Sequence, residues 1–124
     1  MFLYGILSTI VFLIGMPFVF AARKIIGKPN AGLKQKFGFV NMPDMGEEDI
    51  IMLHGVSVGE IIALQNLAKK IKETFPHKKL VITTGTKTGQ EIAQKKYADI
   101  ADFITYFPFD IPFCVDKFLD EVKP

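Results

Sequence analysis

The sequence predicts an α/β domain, a partial parallel sheet with helices packed on it, preceded by an N-terminal membrane helix. Three observations carry this. A short apolar run, Ile50 to Leu53, leads through His54 into a glycine-bracketed turn and then an amphipathic stretch from Ile61 to Ile71. The same order of apolar run, turn and amphipathic stretch returns twice before Pro124. Ahead of all three, Phe2 to Ala22 contains no charged residue. Strands and helices alternating at short spacing pair most economically as parallel strands with right-handed crossovers.

In chain order, the uncharged stretch comes first. As a helix at about 1.5 Å per residue it would be roughly 31 Å long, matching the hydrocarbon core of a bilayer. Pro17 would kink it, which membrane helices tolerate. Residues 1–22 therefore read as a membrane anchor. A cleaved signal peptide needs its positive charges before the apolar stretch. Here they follow it, at Arg23, Lys24, Lys28, Lys34 and Lys36. That order favours an uncleaved anchor with the remainder on the cytoplasmic side, and a helix lying in the interface is the alternative. These five cations are the only charges in residues 1–43. The rest carries ten basic and thirteen acidic residues, a net charge of −3. Basic charge is thus concentrated beside the membrane, where it attracts anionic headgroups, and the mildly acidic remainder argues against nucleic acid as a partner. The single Cys114 excludes an internal disulfide and a cysteine-cluster metal site.

Residues 23–48 read as a basic juxtamembrane segment and linker. Gly27, Pro29, Asn30 and Gly32 break up 27–33, and Asn41 to Glu48 is turn-rich. The domain proper is expected from 49 to 124. Its first unit is a strand at 50–54, a turn bounded by Gly55 and Gly59, and a helix from Val58 to Glu73 ended by Pro76. The two glycines are expected to permit positive φ and close approach of a ligand. The second unit is a strand at Leu80–Thr83, the turn Thr84-Gly85-Thr86-Lys87-Thr88-Gly89, and a helix from Gln90 to Tyr97 with Thr88 and Glu91 at capping-box spacing. The third is a strand at Asp102–Tyr106, the turn Phe107-Pro108-Phe109-Asp110, and a helix from Pro112 to Glu121 with proline in its first turn. Three parallel strands leave an unfinished sheet whose edges need cover.

Turns at the carboxyl ends of strands in such a sheet are where ligands bind, because helix N-termini point free N–H groups there. The stretch Met52-Leu53-His54-Gly55-Val56-Ser57-Val58-Gly59-Glu60 is the most chemically equipped. Ser57 and Glu60 have the S-x-x-E spacing of a capping box, so a cap or dipole partner alone would account for Glu60, as a hydrogen-bonded strand-end residue would for His54. The threonine-rich turn suits an anion but has neither P-loop nor G-x-G-x-x-G spacing, and threonines capping a helix explain it better.

Taken together and in order, these stretches resemble the N-terminal part of the 3-deoxy-D-manno-octulosonic acid (Kdo) transferases. The His54-to-Glu60 motif is the most specific. Thr83-Thr84-Gly85-Thr86-Lys87-Thr88-Gly89 is similar to the family's T-T-x-T-x-T-G, and Tyr106-Phe107-Pro108-Phe109-Asp110-Ile111-Pro112 to its Y-x-P-x-D-x-P. Phe118-Leu119 and Pro124 fall where the family has F-L and proline. The resemblance implies an incomplete Rossmann-like, acceptor-side domain of a two-domain GT-B glycosyltransferase, inverting and needing neither metal nor cofactor. Such an enzyme moves Kdo from CMP-Kdo to a lipid A precursor (lipid IVA) at the cytoplasmic face of the bacterial inner membrane, in lipopolysaccharide core synthesis. It implies Glu60 as general base, with His54, Gly55, Ser57, Gly59, Thr84, Thr86, Thr88, Gly89 and Lys36 binding substrate. Lys36 stands where the family usually has arginine, keeping the charge and losing the bidentate fork. The family continues past the position of Pro124 into a strand with a second acid and a nucleotide-binding domain, so these 124 residues by themselves are expected to be inactive. The alternative reading is a membrane-anchored α/β binding module, or an inactive truncated transferase.

Overall fold

The computed structural model describes residues 2–26 and 32–124. The expected linker at 27–33, and Lys28 within it, fall largely outside the described residues. The elements run α1 (Phe2–Ile26), α2 (Leu33–Lys36), β1 (Ile50–Gly55), α3 (Val58–Ala63), α4 (Gln65–Thr74), β2 (Lys79–Thr84), α5 (Lys87–Lys96), β3 (Phe103–Tyr106) and α6 (Pro112–Val122). The strands form one parallel sheet in the order β1-β2-β3, with His54 opposite Thr83 and Thr83 opposite Thr105. The parallel α/β architecture expected from the alternation is what the chain adopts.

Alternation along the strands sends side chains to two cores. Ile51, Leu53, Leu80, Ile82 and Ile104 face one side, where Ile61 of α3, Ala68 of α4 and Ala93 of α5 close over them. Tyr97 joins this core fully buried, and its hydroxyl donates to the Ile61 carbonyl at 2.5 Å, so that hydroxyl is not left unpaired. Ile50, Met52, Val81 and Phe103 face the other side, under Phe118 and Val122 of α6. Each such side chain withdrawn from water contributes about 1.5–3 kcal/mol. The first helix was expected unbroken from Val58 to Glu73. It is interrupted at Leu64, whose backbone stays helical (φ −71, ψ −12) and whose carbonyl still accepts from Ala68 N–H at 2.9 Å.

The stretch after α2 is built into this second core. Gly38 has φ +85, a region open to glycine, and a Cβ there would stand 2.6 Å from the Cys114 carbonyl of α6. Two residues on, Val40 is buried with Phe118 and Val122. The chain is thereby held close enough to the sheet for Lys36 to reach its carboxyl end.

In α1, Tyr4 donates a hydrogen bond to the Asp110 carboxylate, and Phe12 packs on Phe37 and Phe109 with ring centroids 5.9 and 5.2 Å away. Leu3, Leu13 and Phe18 remain at least two-thirds exposed, at 79%, 67% and 76%. The bilayer-spanning anchor expected here has no support in the fold. Among the described residues no helix is long and apolar enough to cross a membrane, and one side of α1 is engaged with the loop that precedes α6.

Candidate active site at the β1–α3 turn

The carboxyl end of β1 passes through Val56 and Ser57 into α3. Ser57 is extended (φ −105, ψ 165), and its hydroxyl accepts from Glu60 N–H at 3.3 Å. Glu60 returns the bond: Oε2 accepts from Val56 N–H at 2.6 Å and Ser57 N–H at 3.1 Å. This is a complete capping box with one additional donor. These N–H groups, Ser57 first and then Val56, hold the Glu60 carboxyl below its usual range. Partial desolvation opposes them, and the neighbouring His54 adds to the lowering. Among the described residues Oε1 takes no hydrogen bond. One carboxylate oxygen is therefore fixed by backbone while the other stays open on an exposed side chain.

The positive φ expected at the two turn glycines does not occur. Positive φ among glycines occurs at Gly32, Gly38 and Gly46, and neither Gly55 nor Gly59 adopts it. Gly55 is required by packing, since a Cβ would stand 2.7 Å from Ile61 Cδ1. Gly59 faces open space, with nothing nearer to a Cβ than Ser57 Oγ at 3.9 Å.

The β2–α5 turn lies alongside. Its helix starts at Lys87, three residues earlier than expected, and the cap is Thr86, not Thr88. The Thr86 hydroxyl accepts from Gly89 N–H at 3.0 Å and donates to the Val56 carbonyl at 3.3 Å, which ties the two turns together. Gly85 and Gly89 make room for this contact: a Cβ on Gly85 would stand 3.0 Å from Val56 Cγ1, and one on Gly89 2.9 Å from Thr86 Oγ1. Thr84 points inward, fully buried, donating to Gln90 Oε1 at 2.5 Å. Thr88 is exposed in the first turn of α5.

Lys36 comes from α2. Its ammonium donates to the Gly85 carbonyl at 3.1 Å and lies 5.1 Å from the Tyr106 ring centroid, while Phe109 N–H donates to the Lys36 carbonyl at 2.7 Å. The residues singled out from the sequence therefore meet at one end of the sheet, with Glu60, Ser57, Gly59, Thr88 and His54 exposed around it. Sequence reasoning missed Thr83 and Phe107. Thr83 Oγ1 is 3.0 Å from His54 Nδ1, and the His54 ring packs on Phe107 with centroids 4.3 Å apart and planes tilted by 39°. No group of three or more His, Cys, Asp or Glu side chains placed to hold a metal occurs among the described residues.

A three-stranded parallel sheet with helices on it, carrying a carboxylate at the helix N-terminus after its first strand and hydroxyls, an imidazole and a lysine at the same end, is a Rossmann-like unit. The chain belongs to the 3-deoxy-D-manno-octulosonic-acid transferase (kdotransferase) family, whose sequence profile matches residues 31–124. It is 33% identical over 92 residues to the 3-deoxy-D-manno-octulosonic acid transferase of Haemophilus influenzae, covering 74% of this chain and 21% of that protein. It is 27% identical over 123 residues to the enzyme of the same name from Chlamydophila psittaci, covering 99% of this chain and 28% of that one. A bifunctional glycosyltransferase/methyltransferase of Fusobacterium nucleatum is 31% identical over 122 residues, 98% of this chain and 18% of that protein. The chain thus spans under a third of the length of these relatives. No solved structure matches it.

Proposed function

We propose that this chain forms the acceptor-side wall of an inverting glycosyltransferase that moves Kdo from CMP-Kdo to a lipid A precursor, with Glu60 as general base. The carrying observation is the Glu60 carboxylate, ionised and oriented by Val56 and Ser57 N–H, with Oε1 open. An acceptor hydroxyl must lose its proton as it attacks the anomeric carbon, and a positioned carboxylate takes it. The depressed basicity lowers the driving force for that step but keeps the group ionised at neutral pH. Thr88, Ser57, His54 and Lys36 surround it as hydrogen-bonding groups for a sugar, and Gly59 leaves room for close approach. The family membership and the relatives' names supply the substrate class.

The exposed apolar side of α1, at Leu3, Leu13 and Phe18, fits contact with the bilayer that holds a lipid acceptor. The cations from Arg23 to Lys36 suit the anionic surface on the cytoplasmic side of an inner membrane. Co-sedimentation with vesicles that contain anionic lipid, weakened by added salt, is the expected outcome, and full recovery in the supernatant would remove the membrane part of this reading.

The test of the base is Glu60→Gln in a full-length transferase carrying this segment. Gln keeps an acceptor oxygen for Val56 and Ser57 N–H but cannot take a proton. CMP-Kdo-dependent transfer should fall by about 10²-fold or more with thermal stability nearly unchanged. Transfer at the wild-type rate would leave Glu60 a helix cap.

A further inference from the structure

His54 and Thr83 face each other across β1 and β2, and the contact between them determines which nitrogen of the ring carries the proton. Thr83 is fully buried, and its hydroxyl has two neighbours, His54 Nδ1 at 3.0 Å and the Leu53 carbonyl at 3.3 Å. A hydroxyl has one proton to give, a carbonyl can only accept, and an imidazole nitrogen can do either. Both contacts are satisfied by one assignment alone: Thr83 O–H donates to Leu53, and His54 Nδ1–H donates to Thr83. The adjacent hydroxyl in the same row, Thr105, does not compete, because its buried Oγ1 has no hydrogen-bond partner. The ring is also held in orientation. It packs at a tilt on Phe107, which is fixed by its N–H to the Thr84 carbonyl at 2.8 Å and by ring contact with Phe118 at 5.8 Å.

We propose that Thr83 is a positioning residue that holds His54 in the tautomer protonated at Nδ1, leaving Nε2 as a hydrogen-bond acceptor on the exposed rim beside Glu60 for a hydroxyl of the sugar acceptor. The identity of that ligand rests on the transferase reading above; the tautomer does not. With Nδ1 committed to a buried partner, Nε2 is the polar atom an exposed ring offers to solvent, and among the described residues it has no partner. A bare Nε2 orients a hydroxyl by accepting its proton in a hydrogen bond, directing an oxygen lone pair elsewhere, whereas an Nε2–H would bind the oxygen through that lone pair. The buried threonine thus selects which role the imidazole plays.

The chain has two histidines, His54 and the exposed His77, so His77→Gln leaves a single imidazole to observe. Long-range proton–nitrogen correlation spectra of the ¹⁵N-labelled chain, at a pH where the ring is neutral, read the tautomer directly with neither donor nor acceptor present. The wild-type background and Thr83→Ser should both show His54 protonated at Nδ1. Thr83→Val, which keeps the shape and removes the hydroxyl, should shift the population toward Nε2–H, the form favoured by a histidine side chain in water. His54 protonated at Nε2 in the wild-type background would overturn the proposal, whatever the folding of the variants. So would a Thr83→Val chain with an unchanged spectrum. In a full-length transferase carrying this segment, Thr83→Val should raise the acceptor KM several-fold with kcat nearly kept, and Thr83→Ser should restore it. An unchanged KM alongside a changed tautomer would overturn the ligand assignment alone.

Discussion

The two strand–turn–helix junctions at the carboxyl end of the sheet begin alike and end differently. Ser57 caps α3 and Thr86 caps α5, each hydroxyl accepting from the N–H three residues on. At that third position the first junction has Glu60 and the second Gly89. Glu60 folds back to complete a capping box and keeps one oxygen open. Gly89 has no side chain, and a Cβ there would stand 2.9 Å from Thr86 Oγ1, so the capping hydroxyl would have to shift. That oxygen is already occupied, binding the Val56 carbonyl of the first junction. The second turn is thus a support for the first. The same local motif leaves a carboxylate oxygen open where its side chain faces open space and becomes a brace where another turn is packed against it.

The sharpest way to separate the two roles is by rate against stability. Glu60→Gln should lose about two orders of magnitude in transfer with little change in melting temperature. Thr86→Val should do the reverse in magnitude, losing the α5 cap and the tie to Val56 at a cost of about 1–2 kcal/mol in urea denaturation, with transfer reduced far less. Equal losses of rate in the two variants would mean that the junctions share one function.

The glycines give a smaller contrast with opposite signs. Gly59→Ala adds a Cβ to open helical space and should stabilise by about 0.5–1 kcal/mol. Gly89→Ala gains the same helix propensity but displaces the Thr86 hydroxyl, and should be destabilising by about 1 kcal/mol net. Chemical denaturation measures both. If Gly59→Ala stabilises yet lowers transfer, the glycine serves ligand approach.

How much of this was legible in the sequence depended on the range of the interactions involved. The strands announce themselves as apolar runs, and Ser57 with Glu60 announces a capping box, because these are patterns within a few residues. The cap of α5 was misassigned because Thr88 with Glu91 has the same spacing as a true box. Extended backbone at Thr86 (φ −121, ψ 156) decides otherwise, and it follows from where β2 ends. The need for Gly55 was visible but its cause was not: Ile61 packs against it, and nothing in the spacing distinguishes that from positive φ. The pairing of His54 with Thr83 joins residues 29 apart through strand register and has no local signature. In α1 the uncharged run was plain, whereas the contacts of Tyr4 with Asp110 and Phe12 with Phe109 required the tertiary fold.

The smallest expected difference between the junctions is in acid. The Glu60 carboxyl lies below its ordinary value of 4.5 in the folded chain because Ser57 and Val56 N–H groups bond its ionised form. A group whose folded pKa is depressed contributes stability that is present above the unfolded pKa and lost as pH falls through the folded one. Asp102 behaves with the same sign: burial pushes its carboxyl up, but the Leu80 N–H at 2.8 Å and the Lys72 ammonium at 2.9 Å outweigh that and hold it down. Acid denaturation of the wild type therefore reports both residues, and the comparison has to be between variants. Glu60→Gln removes the titrating group and keeps the geometry, so the gap in urea midpoint between wild type and Glu60→Gln should be greatest at neutral pH and close as the pH falls below the ordinary carboxyl value of 4.5. The gap between wild type and Thr86→Val should stay constant across that range, since no carboxylate takes part in the second cap. A wild-type advantage over Glu60→Gln that persists unchanged into acid would show that the two backbone N–H groups hold the side chain without regard to its charge.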